Sequence, residues 1–207
     1  MRKLVFTLLM LLTLSLNAQV KFMGIPIDGT KMDMISKIEQ KGFVYNVTDD
    51  CFTGEFNGSN VHVYIVTNKD KVYRIAIIED DSFNESQIKI RFNNLIKQFE
   101  SSGRYSFMND NQYLDESFDI SYEIMVNNKA IQASFAQKYT EKEKEFIINN
   151  TPSLQEFGKE EQDLILDSAA LYNNAVWFAI SKLQYKDEYR IAIYYDNFQN
   201  APNGEDL

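Results

Sequence analysis

The chain has 207 residues, a formal charge of −9, 44% apolar and 14% aromatic residues, one Cys and one His. Such apolar and aromatic content excludes a disordered or collagen-like chain, and an acidic balance argues against a nucleic-acid or anionic-membrane surface, which needs clustered Lys and Arg. A single Cys excludes an internal disulfide, so stability must come from the core alone.

The first residues read MRKLVFTLLMLLTLSLNAQ: a basic pair, Arg2 and Lys3, an apolar run from Leu4 to Leu16, and a small residue at Ala18. This is the pattern of a signal peptide over 1–18, too short for a stable membrane span. Its removal leaves 19 basic against 30 acidic residues, or −11. No Cys follows the apolar run, so no lipid anchor is expected, and the mature chain is expected to be soluble and periplasmic or secreted.

Beyond the cleavage site, Phe22 to Ile27 reads as a short strand. Asp28-Gly29-Thr30 turns into a helix in which Thr30 and Asp33 resemble a capping box. Met34, Ile35 and Ile38 form its apolar stripe and Gly42 ends it. Four strands follow, at Phe43–Val47, Cys51–Phe56, Val61–Thr67 and Val72–Ile78, joined by short turns such as Asn57-Gly58 and therefore antiparallel. Val61, Val63 and Ile65 share one face, and His62, Tyr64 and Val66 the other. Asn84 to Gln87 caps a helix with Ile88, Phe92, Leu95, Ile96 and Phe99 on one stripe, a spacing that predicts cover for the sheet's apolar face.

The polar stretch 109–117 reads as a connector between a first α+β half, 19–108, and a second, 118–207. DISYEIMV and AIQASFAQK alternate around NNK and predict a hairpin. Thr140 opens an acidic helix. Pro152-Ser153 starts another, with Ser153 and Glu156 as a capping box and Gly158 as a break before Tyr172. The last segment, NAVWFAISKLQYKDEYRIAIYYDN, reads as a hairpin. The expected fold class is thus α+β: antiparallel hairpins packed against a few helices.

The word YRIAI occurs twice, at 73–77 and 189–193, each time as the second arm of a hairpin. Alternation predicts Tyr73, Ile75 and Ile77 in the core with Tyr189, Ile191 and Ile193. Arg74, Arg190, Ala76 and Ala192 then take the other face, where small Ala residues leave room for a covering helix or a partner. Duplication and chance reuse of a strand word both account for the repeat. In this reading the helix precedes the hairpin in one half and follows it in the other.

Chemistry is sparse. A lone His cannot build a usual zinc site or, without a G-x-S-x-G elbow, a serine triad. His62 reads as a packing residue on its strand, and Cys51 as a small hydrophobe. No phosphate-loop, dinucleotide or EF-hand motif is present, so no cofactor is expected. The oxygens of Asp196, Asn200 and Asp206 are the candidate calcium ligands. Glu79, Asp80 and Asp81 cluster at a strand end. Arginines between acidic strands read as ion-pair partners or ligand contacts. The candidate binding residues are Tyr64, Arg74, Trp177, Arg190, Tyr194 and Tyr195, aromatic or cationic positions on strands.

FMGIPIDGT, GEFNGSNVHVYIVTNKDKVYRIAI, IKIRFNNLIKQF, DISYEIMVNNKAIQASF and YYDNFQNAPNGEDL together resemble a group of uncharacterised exported proteins of gut anaerobic bacteria. That resemblance brings no activity with it. A helix followed by an antiparallel meander is also similar in architecture to β-lactamase-inhibitor-like domains and small outer-membrane-assembly lipoproteins, which implies a binding module. The leading expectation is therefore an exported, non-catalytic binding or inhibitor-like module with a protein or glycan partner in the cell envelope. The alternatives are a carboxylate-dependent glycan or cell-wall hydrolase and a calcium-binding structural envelope protein.

Overall fold

The computed structural model describes residues 19–109, 112–184 and 186–202; the expected signal peptide at 1–18 lies outside them. The fold is α+β. A two-stranded hairpin, β1 (Lys21–Phe22) and β2 (Ile25–Pro26), precedes helix α1 (Lys31–Glu39). Strands β3 (Val44–Asn46), β4 (Cys51–Phe56), β5 (Ser59–Asn68) and β6 (Lys71–Glu79) follow, then helix α2 (Glu85–Ser101) and strand β7 (Tyr105–Phe107). Helix α3 (Ile120–Met125) and strand β8 (Gln132–Gln137) lead to helices α4 (Glu141–Asn149), α5 (Pro152–Gln155) and α6 (Lys159–Asn173). Strands β9 (Asn174–Lys182) and β10 (Tyr189–Asn197) are the last described elements.

Eight of the strands form one antiparallel sheet, in the order β3-β4-β5-β6-β10-β9-β8-β7. The two YRIAI strands are thus neighbours at its centre. Ile77 faces Ile193, and these are the same position of the repeated word, since both copies are offset by 116 residues. The sheet is therefore arranged about a local two-fold axis through that pair. Chain order obeys the same symmetry. Each half runs helix then four strands, α1-β3-β4-β5-β6 and α2-β7-β8-β9-β10. The helix-after-hairpin order expected of the second half gives way to this arrangement because α2 packs on the later strands. Phe92 meets Phe178 with ring centres 5.1 Å apart, and Phe99 meets Tyr105 and Phe135 at 4.6 and 4.8 Å. The second half departs from the first by its inserted helices, α3 between β7 and β8 and α4 to α6 between β8 and β9.

One face of the sheet is dry. Val61, Val63, Ile65, Val72, Ile75, Ile77, Val176, Phe178, Ile180, Ile191 and Ile193 share a single buried cluster with Met34 and Ile38 of α1 and with the predicted α2 stripe. Both covering helices start where the sequence places them. Thr30 accepts the Asp33 amide, and Asn84 with Gln87 forms a full capping box. Helices α4 to α6 bury a separate small cluster around Leu154 and Leu166.

Four expectations are corrected. The segment Phe22–Ile27 is a tight hairpin, not one strand, because Met23 and Gly24 both take positive φ. Residues 120–125 are helical, not the first arm of a hairpin. Asp119 caps them by accepting the Tyr122 amide, and Ile120 and Ile124 fall on one helical face against the core. Ser153 caps nothing: α5 starts with Pro152 after Thr151, while Gly158 is the N-cap of α6. Tyr73 leaves the core. A bulge pairs Val66 with Arg74 and Thr67 with Val72, so Val72 takes the inward position and Tyr73 is only half-buried.

Candidate functional site

Alternation along β5, β6, β10 and β9 places a second set of side chains on the face opposite the core. Cross-strand pairing arranges them in rows. Tyr64 lies opposite Ala76, Ala76 opposite Tyr194, and Tyr194 opposite Trp177. In the row beside it, Val66 lies opposite Arg74, Arg74 opposite Asp196, and Asp196 opposite Ala175. On the other side, His62, Ile78, Ala192 and Ala179 follow one another across the same strands.

The centre of this face is a compact polar-aromatic cluster. Arg74 grips Asp196 side-on, Nε to Oδ1 at 2.6 Å and Nη2 to Oδ2 at 2.8 Å. Trp177 donates its Nε1 to the same Oδ2 at 2.8 Å. The Trp177 ring stacks on Tyr194 with centres 4.1 Å apart and planes inclined 22°. The Arg74 guanidinium lies 5.0 Å from the Tyr194 ring centre and 5.4 Å from that of Trp177. A buried carboxylate needs a paired cation and filled lone pairs to remain charged, and Asp196, 2% exposed, has both. The arginine responds in kind: its hydrogen bonds to Asp196 raise its affinity for its proton, against the opposing effect of burial. The result is a rigid platform of half-buried rings locked from below by one carboxylate.

Of the candidate binding residues, Tyr64, Arg74, Trp177 and Tyr194 come together on this face. Tyr64 stands one strand out, above buried Cys51, and burial first and Cys51 second raise its hydroxyl pKa. Arg190 occupies the same face further along β10, opposite Ser181. Its Nε is buried and meets no hydrogen-bond acceptor among the described residues. Tyr195 does not belong to the surface. Alternation from Tyr194 sends it into the core, where it is 4% exposed and sits edge-on to Phe22 at 5.6 Å. Burial holds its hydroxyl well above the ordinary tyrosine pKa.

Of the candidate calcium ligands, Asp196 and Asn200 are committed to other partners. Both oxygens of Asp196 are taken by Arg74 and Trp177. The Asn200 amide donates to Asp28 at 2.8 Å and to the Val72 carbonyl at 2.9 Å, pinning the chain after β10 to the α1 entry loop. Asp206 lies outside the described residues, among which no cluster of metal-ligand side chains forms. Glu79, the other deeply buried carboxylate, is forked to Arg91 of α2 and is 1% exposed. Asp80 is hydrogen-bonded to His62 Nδ1 at 2.5 Å.

Sequence reasoning missed the role of Asp196 as anchor of the aromatic cluster and that of Asp80 as partner of His62. Alternation from Tyr194 does put Asp196 beside it. The partner arginine, however, is 122 residues away, and only register identifies it. No helix among the described residues is long and apolar enough to cross a membrane. No family model matches the chain, and no curated protein or solved structure gives a significant match.

Proposed function

We propose that this chain is an exported, non-catalytic binding module of the bacterial cell envelope, and that it presents the Tyr64–Tyr194–Trp177 row with Arg74 to a protein or glycan partner. The observation that carries this reading is the placement of the largest aromatic group of the second face. Trp177 and Tyr194 stack in the middle of the sheet, half-buried, held by a bidentate ion pair. Rigid aromatics with a polar handle supply contact area at small entropic cost, and Trp, Tyr and Arg dominate binding energetics. The hydrolase reading draws less support. It needs two facing carboxylates free to exchange protons, and the two deeply buried ones, Asp196 and Glu79, are each tied to an arginine. Export follows from the segment 1–18 in the sequence.

The test compares the mature chain with Tyr64→Ala and Tyr194→Ala variants, each confirmed folded by circular dichroism, against immobilised envelope proteins and cell-wall glycans. Loss of a specific interaction by at least tenfold in either variant supports the reading. A partner bound equally by all three proteins removes this face as the contact surface.

A further inference from the structure

The β5–β6 turn and the segment after β10 meet at one end of the sheet, beyond the Val66–Arg74–Asp196 row. Asn68 pairs with Lys71 across that turn, and Lys69 and Asp70 between them take positive φ. Where the two segments meet lies a cleft of about 300 Å³, lined by Asn68, Lys69, Lys71, Gln199, Asn200 and Ala201. That size stands at the lower end of small-ligand sites, roughly 300–1,000 Å³. The carboxamides of the cleft are fixed from behind. Asn200 Nδ2 donates inward twice, to Asp28 Oδ1 at 2.8 Å and to the Val72 carbonyl at 2.9 Å. Burial opposes the ionisation of Asp28, yet the Asn200 hydrogen bond helps hold its carboxyl below the usual carboxylate range. Asn68 Nδ2 is spent on the Asn200 backbone carbonyl at 3.0 Å. Asn197 accepts the Gln199 backbone amide at 3.1 Å and donates to the Ile27 carbonyl at 2.7 Å, which ties the segment to the α1 entry loop. Asn68 and Asn200 therefore keep Oδ1 as an acceptor that no donor among the described residues fills. Exposed Lys71 and the exposed Gln199 carboxamide supply donors beside them.

We propose that this cleft binds a sugar unit through its hydroxyl groups, at a site separate from the aromatic row. Each hydroxyl both donates and accepts hydrogen bonds, so a ring that carries several needs both kinds of partner side by side. The cleft offers them: two carbonyl oxygens held in place, and an ammonium and a carboxamide N–H next to them. An anion would suit the ammonium and meet the oxygens, and a metal cation would suit the oxygens and meet the ammonium. A polyhydroxyl ring satisfies both sets at once. Acceptors already locked by Asp28 and the Val72 carbonyl lose little freedom on binding. Phe198, 49% exposed, directly precedes Gln199 and adds an apolar surface to the same turn, as small-ligand sites combine rings with a few placed polar groups. The assignment goes beyond the reading of the outer face and does not depend on it.

The experiment titrates the mature chain with methyl β-glucoside, N-acetylglucosamine and glucuronate at constant ionic strength, followed by the Asn and Gln side-chain amide signals in nitrogen–proton NMR. The expected result is saturable movement of the Gln199 and Asn200 signals with at least one sugar. Binding should be about tenfold weaker in Gln199→Ala and in Lys71→Met, each of which removes a donor. Both positions are exposed, and an unchanged backbone spectrum away from the cleft confirms that each variant is folded. Tyr194→Ala is expected to bind the sugar as the parent chain does. No saturable movement with any sugar overturns the site. Acetate, phosphate or calcium moving the same signals at lower concentration than every sugar overturns the polyhydroxyl assignment. Unweakened binding by either cleft variant, or lost binding in Tyr194→Ala, overturns the location. Free sugars and cleft variants read this site without the aromatic row, so its failure leaves the partner-capture result standing and the two readings fail separately.

Discussion

Arg74 and Asp196 show how much one register position decides. Asp196 is almost fully buried, and Arg74 is its only cation among the described residues. Removing one partner of a buried pair leaves the other charge uncompensated, at a cost on the order of 3–5 kcal/mol. Arg74→Gln is therefore expected to destabilise the fold by about 3 kcal/mol, the lower end because Arg74 keeps 28% of its side-chain surface in water. Urea unfolding measures the loss. The sole Trp, Trp177, bonds the same carboxylate, so its emission maximum should move in the folded variant. A variant with unchanged midpoint and emission would show that the pair contributes nothing. Arg74→Lys should recover only part of the stability, because an ammonium cannot reproduce the fork.

At the scale of an element, β4 is constrained by one close approach. Gly54 lies on its inward face, and a Cβ built there would stand 2.5 Å from the Phe43 ring. Phe43, 4% exposed, thus covers the bare backbone of Gly54 and cannot be displaced cheaply. Gly54→Ala is expected to cost about 1–3 kcal/mol through overpacking, read as a lower thermal midpoint. Phe43→Leu in the same background should relieve part of the clash, and an unshifted midpoint in Gly54→Ala would mean that the ring moves freely. Element type is a subtler matter in α3. DISYEIM has both an alternating and a helical reading, and the Asp119 cap together with the Ile120–Ile124 spacing favours the helix. The β6 bulge shows the converse: a regular alternating word, YRIAI, is placed with its first residue out of the core because one extra residue shifts the pairing.

For the molecule as a whole, the central β6–β10 pairing merges the halves into one sheet over one core. Ile77 and Ile193 sit at the axis, 0% and 1% exposed. Truncation of either to Ala is expected to cost about 3 kcal/mol. The two losses should be non-additive because the side chains share one site. Trp177 lies in the second half and far-UV dichroism reports on both, so coincident transitions by the two probes are expected in the wild type and in each variant. Separate transitions would show that the halves unfold independently and that the shared core does not couple them.

Much of this architecture was legible in the chain. The caps at Thr30, Asn84 and Thr140, the α2 stripe and the β5 alternation are local signals, set by backbone hydrogen bonding and side-chain periodicity within a few residues, and they appear as expected. The repeated YRIAI word marked two strands, each the second arm of a hairpin, and local alternation put Tyr64, Arg74, Trp177 and Tyr194 on strands where rings and cations could gather. What local sequence could not fix is which strand lies beside which. Pairing between β6 and β10 spans more than a hundred residues, and register between distant strands is chosen by how whole faces bury together. That choice set Ile77 against Ile193 and locked Arg74 onto Asp196, whereas Tyr195 faces inward by the alternation of its own strand.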